Sequence, residues 1–161
     1  MLENDLKILI YAIGNPGRQD DGLGIALADR IESKFPGKFE FDSNYQLNVE
    51  DALLISEKDI VLFIDASKNE IEDYQLSRIK PRGSIEFTTH SMAPSSVLAL
   101  CEELYNKTPL ALMMEIKGYE WEINETISDK ALVNIDKAEE FLRGLLQEPC
   151  AEMFLENCVA I

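Results

Sequence analysis

Residues 6–13, LKILIYAI, form an apolar run with no polar alternation. That pattern predicts a central strand covered on both faces rather than a half-wet one. From Leu23 the period changes. In LGIALADRIESKF, Leu23, Ala26, Leu27, Arg30 and Ile31 recur at helical spacing, and Pro36–Gly37 end the helix. A second strand is expected near 38–42, then a helix over 49–56 with Asn48 as its cap, and a second buried run at 60–66, IVLFIDA.

Residues 67–82, SKNEIEDYQLSRIKPR, are polar and irregular and read as a loop or edge excursion. SIEFTT, 84–89, has the partial alternation of a shorter strand. A helix starts at Pro94, where proline suits the first turn. PLALMMEI, 109–116, is a last buried strand, with GYEWEI as a candidate extension. From Ser128 to Gln147, Leu132, Ile135, Ala138, Phe141, Leu142 and Leu145 make one helical stripe. Alternating strands and helices without repeats predict a single three-layer α/β/α domain over 1–147 with a mostly parallel sheet, followed by a tail at 148–161.

The length of 161 residues suits one such domain with a full core. Charge narrows the function classes. With 30 Asp+Glu against 15 Lys+Arg the net charge is -15, which disfavours nucleic acid and anionic membrane as partners. No stretch approaches the ~20 apolar residues of a membrane span, and the acidic start MLENDLK lacks a signal-peptide pattern. Three cysteines, without CxxC spacing, point to reduced thiols and a cytoplasmic setting. Cys101, among the apolar residues of a helix, reads as buried and inert, and Cys150 and Cys158 as ordinary tail residues.

In open α/β sheets, ligands gather at the carboxyl ends of the strands. Behind the first strand stands GNPGRQDDGLG, 14–24, which has neither the Lys-Ser/Thr ending of a P-loop nor GxGxxG spacing. Its Asp20 and Asp21 would oppose a bound phosphate. The third strand ends in Asp65, and TTHS carries His90, the single histidine. Alone, each has a plain structural use: a helix cap for Asp20 or Asp21, an Asx turn for Asp65, a structural hydrogen bond for His90. Together, if the strands are neighbours, Asp21, Asp65 and His90 converge as a mixed oxygen/nitrogen set suited to a divalent metal such as zinc or nickel. No GxSxG elbow offers a nucleophile to His90.

The GN…DDGLG loop, the strand ending Asp65-Ala66 and the TTHSM segment, in this order over about residues 6–145, resemble the nickel–iron hydrogenase maturation endopeptidases. That family removes a carboxyl-terminal extension from the hydrogenase large subunit. The resemblance implies a phosphorylase/hydrolase-like, five-stranded sheet with one antiparallel strand, for which SIEFTT is the choice here. It implies that Asp21, Asp65 and His90 are at once the metal-contacting and the catalytic trio, with Asp20 orienting or capping. It further implies a large-subunit precursor as partner, a monomer, and nickel supplied by the substrate, with zinc or cadmium as surrogates.

Two stretches depart from the family pattern. Many members carry Asp-Gly-Gly after the second strand, where this chain has Asp42-Ser43-Asn44-Tyr45-Gln46-Leu47. The short proline-containing turn after the last strand is replaced by KGYEWEINETIS. Both bear on substrate selection more than on metal contact. Two other functions fit parts of the pattern. A non-catalytic metal-sensing or chaperone-like protein would use the same trio. Peptidyl-tRNA hydrolases share GNPG after a first strand, but need a histidine soon after the loop and a basic surface.

Overall fold

The computed structural model describes residues 6–83 and 92–159. Strand β1, Ile8–Ile13, is an inner strand of the sheet and sends alternate side chains to opposite layers. Ile8, Ile10 and Ala12 join one core cluster, while Leu9 and Tyr11 join the other. This is why the run could be apolar throughout.

On one side lie α1 (Leu23–Lys34) and α4 (Asp129–Gln147), which bury Leu27, Ile31, Ile135 and Leu142. On the other lie α2 (Asp51–Ser56) and α3 (Pro94–Tyr105), which contribute Ile55, Val97, Leu98 and Cys101. Between them β2 (Glu40–Asn44), β3 (Ile60–Ser67), β4 (Tyr74–Ile79) and β5 (Leu110–Lys117) complete a five-stranded sheet with β1. The order is β2-β1-β3-β5-β4. The pairs β1–β2, β1–β3 and β3–β5 are parallel, and β4 is antiparallel to β5. This is the expected three-layer, mostly parallel architecture.

Several local readings change. The antiparallel strand is Tyr74–Ile79, inside the stretch read as a loop, while SIEFTT lies outside the described residues. An edge strand is covered incompletely, so YQLSRI could stay largely polar and give no apolar run. Asn48 does not cap α2. Its backbone N–H instead donates to the Asp51 carboxylate at 2.8 Å. In α4, Leu132 is 37% exposed, and Ala131 takes the buried position at the start of the stripe. Strand β5 stops at Lys117, and GYEWEI leaves the sheet.

The tail also carries structure. It forms α5, Ala151–Glu156, whose Phe154 is fully buried in the core with α1 and α4. Beyond it, Val159 N–H donates to the Leu76 carbonyl of β4 at 2.8 Å. Cys150 and Cys158 are free thiols, and Cys158 packs against the same core. Phe154→Ala should therefore cost about 3 kcal/mol in urea unfolding at neutral pH. A loss below ~0.5 kcal/mol, the scale of an exposed site, would mean that the tail only rests on the domain.

Candidate metal and catalytic site

The sheet order creates the site. Strand β1 sends its chain outward to β2 on one side, while β3 lies on the other, so a topological switch point falls between β1 and β3. The glycine loop leaves β1 there, and Asp65 follows the continuous buried run Ile60–Ile64 of β3 there.

Gly14 makes the turn possible. Its φ is +142°, and a Cβ would lie 2.0 Å from the Asp21 carbonyl oxygen. Gly24 lets α1 settle on the strand ends, since a Cβ would come within 2.5 Å of the Ile64 carbonyl and 2.8 Å of that of Ile13. Between them, Gln19–Gly22 form a single 3-10 turn. The two acids of this turn then take different directions.

Asp20 is fully buried. Its carboxylate accepts from Tyr119 N–H at 2.7 Å, Glu120 N–H at 3.0 Å, Ser128 N–H at 2.8 Å and the Ser128 hydroxyl at 2.7 Å. Burial works to raise its pKa, but these four bonds outweigh it and hold the carboxyl below the usual carboxylate value. Asp20 caps no helix. It ties the glycine loop to KGYEWEINETIS, while Gln19 N–H to the Asn124 carbonyl (2.6 Å) and Asn124 N–H to the Gly17 carbonyl (2.9 Å) add further ties.

Asp21 is half-buried and points back across the loop, accepting from Asn15 N–H at 2.9 Å. It lies close enough to Asp65 for its charge to act on that carboxyl. Asp65 is pushed up to about 7, chiefly by burial. The Ala66 N–H, 2.8 Å from Oδ1, pulls the other way, and the charges of Asp21 and Glu115 push further up. Glu115 is the register partner of Asp65 on β5. Periodicity gave no reason to single it out, because it sits inside an apolar strand and reaches Asp65 only through the sheet pairing.

Of the three residues expected to converge, the structure places Asp21 near enough to Asp65 for their charges to interact. His90 lies outside the described residues. Met92, two positions on, donates to the Leu47 carbonyl at 3.2 Å, three residues past the end of β2. Two carboxylates in this position can offer hard oxygen ligands to a cation or take a proton from water. Cys101 plays no part. It is fully buried, donates to the Ala52 carbonyl at 3.2 Å, and burial raises its thiol to about 11. Tyr11, equally buried, donates to Asp51 at 3.0 Å and is raised by burial.

The Asp65 shift makes a stability prediction for the metal-free protein. Its folded pKa lies above the unfolded value, so ionisation costs the native state. That cost is absent below about pH 4, grows as the pH rises, and is complete above about 7. Asp65→Asn should be more stable than wild type at pH 8, by on the order of 2 kcal/mol, and the gain should vanish at pH 4. Urea midpoints at both pH values test this, and an equal gain at both would remove ionisation as its cause.

No protein-family model and no curated protein matches the chain. Solved structures do. The hydrogenase maturating endopeptidase HYBD from E. coli superposes with a TM-score of 0.72 at 16% identity, over 89% of this chain and 93% of that one. The [NiFe] hydrogenase maturation protease HycI from Thermococcus kodakarensis gives 0.66 at 19% identity, over 90% and 95%. A hydrogenase 2 maturation peptidase from a Thaumarchaeota archaeon gives 0.64 at 18% identity, over 87% and 97%. Across nearly its whole length, this chain has the fold of the hydrogenase maturation endopeptidases.

Proposed function

We propose that the chain is an endopeptidase that removes the carboxyl-terminal extension of a nickel–iron hydrogenase large-subunit precursor after nickel insertion. The observation that carries this reading is the approach of Asp21 to Asp65 at the switch point between β1 and β3, in a fold shared with a hydrogenase maturating endopeptidase and a [NiFe] hydrogenase maturation protease. His90 follows as the third member of the set from the sequence pattern.

The nickel is part of the substrate. When bound there, it supplies Lewis acidity at the scissile carbonyl. The chain's own groups do the rest. Asp21 and Asp65 offer oxygen ligands to the metal-bearing end of the precursor and hold the attacking water. A carboxylate oxygen accepts the proton that this water releases. Asp20 acts at one remove, by fixing the loop on which Asp21 stands.

The test is the metal requirement. The chain is incubated with nickel-loaded and with nickel-free precursor, and the large subunit is followed by gel mobility. Processing of the loaded form alone is the expected result. Equal processing of both forms would remove nickel recognition from the account, and tight binding without cleavage would make the chain a metal-sensing chaperone.

A further inference from the structure

Cations are the minority charge of this chain, yet three of them stand together. Arg78, Lys80 and Arg82 recur at every second position across the end of β4, and all three are exposed. They line one groove of about 660 Å³, with Ile79, Leu155 and Val159 as its apolar part. Arg78 also faces the Cys158 thiol closely enough for its charge to act there. Among the described residues, no Asp or Glu lines the groove. Glu156, beside Leu155 in the sequence, pairs with none of the three cations. The ion pairs among the described residues all use other basic groups.

The groove follows a sheet edge. Strand β4 is outermost and pairs on one side only, with β5. Along an antiparallel strand, successive residues turn their main-chain groups to opposite sides. Asp73 is turned to β5, since its carbonyl accepts from Lys117 N–H at 3.1 Å. Leu76 is turned outward, since its carbonyl accepts from Val159 N–H at 2.8 Å. Arg78 shares the parity of Leu76, so its N–H and C=O face outward too. Among the described residues no main-chain group pairs with them. Further on, Arg82 N–H donates to the Ser95 carbonyl at 3.2 Å, which holds the strand's continuation against the start of α3.

Such an edge recruits an extended peptide through main-chain bonds, while side chains at alternate positions give the specificity. Cations at every second position match carboxylates at every second position of the added strand. The strand edge and the apolar Ile79, Leu155 and Val159 suit a polypeptide and not a nucleic-acid backbone. The net charge of -15 does not forbid an acidic partner. At physiological salt, charges more than about 8 Å away are largely screened, so the local cations decide.

We propose that this groove binds an extended acidic segment of a partner protein, which adds a strand to the β4 edge and sets alternate carboxylates against Arg78, Lys80 and Arg82. Ile79 pairs with Ala111 near the start of β5, whereas Asp65 pairs with Glu115 near its end. The groove thus lies toward the sheet end opposite to Asp65, and such docking is independent of the endopeptidase reading.

The probe is a fluorescein-labelled decapeptide of alternating Glu and Val, read by anisotropy against the full chain, beside the same peptide with Gln in place of Glu. Saturable binding to wild type is expected. It should be about tenfold weaker for Arg78→Ala/Lys80→Ala/Arg82→Ala, and about tenfold weaker for the Gln peptide. In the complex, hydrogen exchange of the Arg78 amide should slow by about tenfold or more, which attraction to surface charge alone would not cause. Thermal unfolding of the triple variant should match wild type, since the three side chains are exposed. No saturable binding, or equal binding by wild type and variant, would overturn the groove as the site. Equal binding of the Gln peptide would overturn its acidic preference, and an unchanged Arg78 amide the strand addition. Tighter competition by a single-stranded oligonucleotide would assign the cations to nucleic acid instead. Self-association of the free chain that the triple variant abolishes would assign the edge to a second copy, and either result sinks the proposal.

Discussion

Asp65→Asn and Asp21→Asn are each expected to lower processing of nickel-loaded precursor by about a thousandfold or more while the protein stays folded. The amide keeps the shape of the side chain but neither binds a cation as a carboxylate does nor accepts a proton at neutral pH. For Asp65 the expected combination is specific: a more stable metal-free protein at pH 8 and a nearly inactive one. Stability lost at a functional carboxylate and regained by its amide is what a burial-raised pKa entails. The double variant should be little worse than either single, because the two groups act on one substrate. Single-turnover rates at saturating precursor measure this. A fall of less than tenfold in both singles would take the chemistry away from this pair.

Asp20→Ala is expected to produce the largest loss of stability, about 4 kcal/mol. The change strands three backbone N–H groups and the Ser128 hydroxyl in a fully buried position. It also frees the start of α4, where the Ser128 hydroxyl accepts from Ala131 N–H. Because the folded pKa of Asp20 is depressed, its contribution is full above the unfolded value near 4 and is lost as the pH falls through the folded one. The gap between wild type and variant should therefore hold from pH 8 to 5 and narrow only in stronger acid. Chemical denaturation across that range, followed by far-UV circular dichroism, reads it. A gap below about 1 kcal/mol at pH 7 would mean that water replaces the carboxylate, and that Asp20 is not what joins the two loops.

The layers of this fold were legible because a doubly covered strand has no room for polar side chains. LKILIYAI and IVLFIDA announce themselves, and so does the helix that Pro94 opens. The edge strand Tyr74–Ile79 was not legible, because an incompletely covered strand can stay polar and pattern alone cannot tell it from a loop. Asp65 was visible as the one charge ending an apolar run, and Asp21 as an acid where a phosphate loop would have none. Their approach depended on β1 and β3 being neighbours, which pairing decides and composition does not. The separate work of Asp20 was hidden for the same reason. All four of its hydrogen bonds come from residues about a hundred positions away, two from a stretch that read as an extension of β5 and two from Ser128, which read as the start of a helix. The tail's place in the core was hidden too, since a single Phe154 in a short acidic segment leaves little periodicity to read.

The most direct test of the account is the intact mass of the nickel-loaded large-subunit precursor after incubation with this protein. The account predicts the loss of one carboxyl-terminal peptide, with no loss when Asp21→Asn replaces wild type. An unchanged precursor mass in the presence of folded wild-type protein and bound nickel would contradict it.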